Sequence, residues 1–259
     1  MPYFDIRVAV FLAMIAAGNF SAPTQASEGV PSETYSAETA VGLSAETEGE
    51  GTSVTTEEIA GSAMSAFDAA AWDLTTIGTV DHDVFALALS SAERAVARGE
   101  ARPSTLTVID FSVPSTERRM FVYDLRSRAL LFAEHVSHGR NSGENVPTAF
   151  SNEPESFKSS IGLYRTGEGY YGKHGYSLRL DGLEKGFNDR ARERAIVIHG
   201  AEYVNAATAK QQGRLGRSLG CPAVRPEIAA KVIDTVKDGG LVFAYYPNQA
   251  WLTSSTYLN

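Results

Sequence analysis

Among its 259 residues the sequence holds a single cysteine, Cys221. A lone thiol cannot pair within its own chain, so no internal disulfide framework supports this fold. In an oxidising compartment an odd thiol is an intermolecular link, an accident of the core, or a reactive group. Long apolar runs are missing too. Val8 to Ala17 is too short to span a bilayer, and no later stretch is long enough. No stable membrane span is expected. Cationic excess is also absent. The net charge of -8 comes from eight glutamates between Ser27 and Ser62, a stretch with no Lys or Arg; residues 63–259 carry 22 acidic and 22 basic side chains. That balance excludes a broad basic field, and nucleic acid is not expected as a partner. His138, His174 and His199 lack the short spacing of a strong metal site. Neither a metal nor another cofactor is expected.

What the sequence does contain falls into four parts. Residues 1–26 read as a secretory signal, with Arg7 ahead of the apolar run and small residues at Thr24 and Ala26 before a cut after Ala26. No cysteine lies near that cut, so a lipidated N-terminus is not expected. The mature protein is expected in the periplasm or cell envelope. Residues 27–62, rich in Glu, Ser, Thr, Gly and Ala, cannot bury enough surface to offset their ordering entropy, and read as a disordered acidic linker. Residues 63–104 form a helical preface, with apolar three- and four-residue spacing over Ala63–Leu74 and Asp83–Arg98. Residues 105–250 change to short β-rich runs, interrupted by an amphipathic helix from Pro226 to Asp238. Expected strands are Leu106–Phe111, Met120–Leu125, Ala129–His135, Ile161–Arg165, Tyr176–Leu180, Ala195–His199 and Leu241–Tyr246. The fold class is therefore mainly β, a sandwich or barrel with peripheral helices.

Two segments carry chemistry. Ile196-Val197-Ile198-His199-Gly200 is an apolar run ending in histidine, and a strand holds its last side chain in register. Ser218-Leu219-Gly220-Cys221 is a glycine-containing turn that presents a cysteine. A free thiol is mostly protonated near neutrality and needs a base to make the nucleophile. The base in turn needs an acceptor for its second ring nitrogen, for which Gly200's carbonyl or the Ser218 hydroxyl are candidates.

At these residues the sequence resembles the L,D-transpeptidase catalytic domain (the YkuD-like fold), which carries His-Gly at a strand end and, later, Ser-X-Gly-Cys. The likeness covers roughly residues 106–246 and is closest to the branch continuing Gly-Cys-Pro-Ala, as Gly220-Cys221-Pro222-Ala223 does. His138-Gly139-Arg140-Asn141-Ser142-Gly143, Ser159-Ser160-Ile161-Gly162 and Gly172-Lys173-His174-Gly175-Tyr176 fit the same branch.

The resemblance implies thiol acyl transfer on peptidoglycan stem peptides. Cys221 would attack the L-centre carbonyl of a tetrapeptide and expel D-alanine, and an amine acceptor would resolve the thioester. His199 would be base and then acid, Gly200 would orient it, and the amides of Gly220 and Cys221 would hold the oxyanion. The more familiar branch has Arg or His where Leu219 stands, and an arginine where Ala223 stands. Arg217 and Arg225 are the replacement cations to test. His138, His174, Ser160 and Tyr176 are expected to border the substrate groove. Competing readings are an L,D-carboxypeptidase or endopeptidase using water, a wall-binding module without turnover, and a metal hydrolase built on the three histidines.

Overall fold

The computed structural model describes residues 66–259. The expected signal and acidic linker lie outside the described residues. Eight strands form one sheet in the order β3-β2-β1-β8-β4-β5-β6-β7. They are β1 (Thr105–Asp110), β2 (Met120–Asp124), β3 (Ala129–Glu134), β4 (Gly162–Gly172), β5 (Gly175–Gly182), β6 (Val197–Gly200), β7 (Ala223–Val224) and β8 (Leu241–Tyr245). The β1–β8 and β6–β7 pairs are parallel, and every other pair is antiparallel. Past β3 the chain returns to the far edge, where the Ser137 amide donates to the Ala223 carbonyl at 2.8 Å. That bridge nearly closes the sheet into a barrel, which removes most of an open edge.

Alternation of side chains sorts the sheet's residues between two cores. Leu106, Val108, Phe121, Tyr123, Leu241 and Phe243 enter one, under helix α1 (His82–Ala97) and the short helix α4 (Gln249–Ser254). Their neighbours Ile109, Met120, Val122, Val242 and Ala244 enter the other, which packs on α3 (Pro226–Val236). α1 starts where Asp81 accepts from the amides of Asp83 and Val84, at 2.9 and 3.1 Å. It buries Val84, Phe85, Ala88, Leu89, Ala92 and Ala95, with Phe85 set 5.0 Å from Trp72 and 4.8 Å from Tyr123 between ring centres. No helix among the described residues is long and apolar enough to cross a membrane.

Two elements differ from expectation, and Ala63–Leu74 is described only from residue 66. Within Ala63–Leu74 the described residues make only a 3-10 turn at Ala69–Ala71. Asp68 bonds the Ala70 amide and Asp73 bonds the Thr75 amide, local turns that compete with helix formation. β4 and β5 run well past Arg165 and begin before Tyr176, joining in a long hairpin whose turn is Lys173-His174. A short helix, α2 (Ala206–Gln212), stands between His199 and Cys221, started by the Asn205 side chain on the Thr208 amide at 2.7 Å.

Candidate active site

Strand pairing brings the two chemical segments together. β6 lies between β5 and β7, with His199 opposite Ser177 on one side and opposite Ala223 on the other. Cys221 stands two residues before Ala223, so twenty-two residues of separation are closed by one parallel pair. A cavity of about 320 Å³ opens there, lined by His174, His199, Tyr203, Arg217, Leu219 and Cys221 among others.

His199 is 3% exposed. Its Nδ1 lies 3.0 Å from the Gly200 carbonyl, which can only accept, so Nδ1 carries the proton and Nε2 keeps a lone pair. Burial lowers its pKa, the Gly200 carbonyl opposes that, and charge on His174 lowers it further. His174, at the turn of the β4–β5 hairpin, stacks on it with ring centres 4.6 Å apart and planes inclined by 27°. Cys221 is half-buried, and burial raises its pKa against the Val197 amide and the positive charge of Arg194. At rest its Sγ donates to the Ala195 carbonyl at 3.7 Å. Burial thus disfavours the charged form of both groups, which line one cavity.

The cysteine turn is held by a polar lattice. The Ser218 hydroxyl donates to the Cys221 carbonyl at 2.6 Å and accepts from the Gly220 amide at 3.0 Å. The turn lies along 138–140, through Ser218 amide to His138 carbonyl and Arg140 amide to Ser218 carbonyl, at 2.9 and 2.8 Å. Ser159 links both strands of this arrangement: its hydroxyl accepts from the Gly139 amide at 3.0 Å and donates to the Gly220 carbonyl at 2.9 Å. Gly220 has φ +127, and a Cβ there would lie 2.9 Å from the Lys158 carbonyl, so both backbone and space demand glycine.

Several expected residues stand elsewhere. The Gly220 amide is engaged by Ser218, so of the two expected oxyanion donors the Cys221 amide is the one left. His138 is 1% exposed, with Arg119 donating to Nδ1 at 2.8 Å and Nε2 3.3 Å from the Gly143 carbonyl. Burial and the Arg119 charge push its pKa down to about 4. It is not among the residues lining the cysteine cavity, and among the described residues no metal-binding cluster occurs. Ser160 is buried, donating to the Ser151 carbonyl at 2.9 Å. Tyr176 turns to the outer side, bonding Asp234 on α3 at 2.7 Å. Arg225 forks onto Glu134 at 2.9 Å twice and lines a separate cavity of about 240 Å³ with His135 and Leu215. Arg217 does line the cysteine cavity, but its guanidinium bonds the Gly143 carbonyl at 2.9 Å and Glu144 at 2.8 Å. Ala223 is fully buried in β7, where a cation would have no outlet, and Leu219, 54% exposed, stands at the cavity mouth.

Sequence reasoning missed Ser159 and Arg194. For Ser159 the signal was present in the Ser-Ser pair, but which serine faces the turn depends on its pairing. For Arg194, lying in the turns before β6, no sequence signal separated it from the neighbouring arginines.

The sequence matches the L,D-transpeptidase catalytic domain over residues 77–245. No curated protein matches significantly. Among solved structures, an L,D-transpeptidase from Mycobacterium smegmatis is 15% identical, with 55% of this chain and 59% of that one covered and a TM-score of 0.36. L,D-transpeptidase 1 of Mycobacterium tuberculosis is 14% identical, covering 55% and 62%, with a TM-score of 0.32. A helical cell-shape-determining protein from Campylobacter jejuni (a K307A mutant) is 14% identical, covering 72% and 57%, with a TM-score of 0.37. This chain therefore spans 59% of the first of these and 62% and 57% of the others. With a family match that spans well over half of its length, and with the nearly closed β-sheet described above, the chain belongs to the L,D-transpeptidase catalytic domain family.

Proposed function

We propose that the protein is an exported peptidoglycan L,D-transpeptidase of the Gly-Cys-Pro-Ala branch, with Cys221 as nucleophile and His199 as base. The observation that carries this reading is the shared cavity: the only cysteine and an imidazole with a free Nε2 line the same space at the β6–β7 pair. A base held as the neutral tautomer is ready to take a proton without first losing one.

The thiol leaves the Ala195 carbonyl and turns to His199, whose Nε2 takes its proton. The sulfur attacks the carbonyl carbon of the L-centre preceding D-alanine, and the Cys221 amide donates to the oxyanion. Collapse breaks the C–N bond, and the imidazolium returns its proton to the departing D-alanine nitrogen. The thioester remains on Cys221. An acceptor amine then attacks, gives a proton to His199, and the C–S bond breaks to regenerate the thiol. Through the Gly200 carbonyl the ring stays oriented during both proton transfers.

Disaccharide-tetrapeptide fragments incubated with the protein test this. Mass spectrometry is expected to show release of D-alanine and cross-linked dimers with wild type, and neither with Cys221→Ala. Released D-alanine with only hydrolysed product would make water the acceptor. Equal product from the Cys221→Ala protein would refute the assignment.

A further inference from the structure

We propose that Arg194 is the built-in countercharge for the thiolate of Cys221, a positioning residue that makes the nucleophile available from beneath the cysteine turn. This rests on Cys221 being the nucleophile.

The guanidinium is half-buried and saturated with neutral acceptors. Nη1 donates to the Ser151 carbonyl at 2.6 Å and to the Ser160 hydroxyl, and Nη2 to the Lys158 carbonyl at 2.6 Å and the Ser156 hydroxyl at 3.2 Å. Among the described residues no carboxylate lies within ion-pair reach of it. Glu153, which acts on it from further off, is bonded to Arg190 at 2.7 Å. A partly buried cation that keeps its charge without an anion is costly, unless an anion forms beside it during function.

That anion has a place. A methyl group added at Gly220 would lie 3.5 Å from Nη2, so the guanidinium sits directly under the residue before the cysteine. The next residue in the chain, Ala195, supplies the carbonyl that receives the thiol proton. Ala195 has φ +52, a conformation that L side chains rarely adopt, and strain of that kind persists where the surroundings over-determine it. One strained turn thus carries both the thiol's acceptor and the cation that lies beneath the residue before the cysteine.

Other charges near the sulfur do not fill this role. Across the cavity stand His199, His174, Tyr203, Glu202 and Arg217, the last neutralised by Glu144. Burial disfavours a charge on His199. Around Arg194 lie Tyr164 and Arg190, and Arg190 is paired with Glu153 and Glu193. The two partners act on each other in the expected sense: Arg194 favours the thiolate, and the cysteine favours the guanidinium.

The test is the pH profile of Cys221 alkylation by iodoacetamide on the full chain, where sulfur displaces iodide and only the thiolate reacts. In Arg194→Met the midpoint should rise by about one pH unit, with alkylation about tenfold slower at any pH below it. Arg194→Lys should recover most of that loss. Because Arg194 also ties down residues 151–160, Arg194→Met can fail to fold, and a second pair of variants decides independently. Ser156→Asp places a carboxylate on Nη2 and should raise the midpoint, whereas Ser156→Asn should leave it at the wild-type value. A wild-type midpoint in folded Arg194→Met, or in Ser156→Asp, overturns the proposal. The readout needs no substrate, so failure of turnover counts against the transpeptidase reading and an unmoved midpoint against Arg194.

Discussion

One flank of the sheet, under α1 and α4, and the loops that flank the cysteine turn are built from different materials. Under α1 and α4 the packing is almost wholly apolar, with Phe85, Trp72, Tyr123, Phe243 and Trp251 in contact. Around the cysteine turn the chain makes little regular structure, and serine hydroxyls, amides and a guanidinium hold residues 138–160, 194 and 218–221 together. Apolar packing gives stability without direction, whereas hydrogen bonds fix atoms in place at modest net gain. The first flank is suited to holding the fold and the second to holding a nucleophile. Separate substitutions should therefore move stability and reactivity apart.

The largest separation is expected at His199. His199→Ala should lower kcat/KM by about 10²- to 10⁴-fold while thermal unfolding shows a folded protein. In the wild type, because burial lowers the His199 pKa, the acid limb of kcat/KM should fall below the ordinary histidine value of about 6.5. On the other flank, Phe85→Ala should cost about 3–5 kcal/mol in denaturant unfolding. Its alkylation midpoint at Cys221 should match wild type, and a shifted midpoint would mean that the flanks are coupled.

His138 supplies a pH test at the boundary. Its folded pKa, about 4, lies below the unfolded value of about 6.5, so the unfolded chain binds more protons between them. Stability from this group is then complete above about 6.5 and is lost as pH falls toward 4, by about 3 kcal/mol. His138→Asn should flatten that slope in unfolding curves taken across the window. Ser159→Ala should cost about 1–3 kcal/mol, since it leaves the Gly139 amide and the Gly220 carbonyl without their partner. The smallest effect belongs to Arg225→Ala, about 0–1 kcal/mol, because its pair with Glu134 is partly exposed. Turnover should be unchanged there, and a marked loss would join the second cavity to the reaction.

The same division explains what was legible in the sequence. Strands such as Met120–Asp124 and the helix from Pro226 announce themselves through period and punctuation, because one face of each is buried. That His199 and Cys221 stand at boundaries, a strand end and a glycine turn, is legible in the sequence, and the structure sets both on one cavity. Facing in the polar loops was not legible. Neither the contacts Ser159 makes to the turn nor the place of Arg194 beneath Gly220 has a local signal, because long-range pairings such as Ser137 with Ala223 set those directions. Nothing local encodes them. In Ala63–Leu74 the spacing suits a helix, and in the described part, from residue 66, aspartate turns and the Trp72 indole bond to the Ala66 carbonyl at 2.9 Å are present.

The central claim is that Cys221 carries the acyl group, and intact-protein mass spectrometry tests it most directly. Quenching the protein with stem tetrapeptide during turnover should add the mass of the peptide less D-alanine, mapped by digestion to the peptide containing Cys221. The Cys221→Ala protein should carry no adduct. Turnover without any adduct at Cys221, or the same adduct in the alanine variant, would contradict the account.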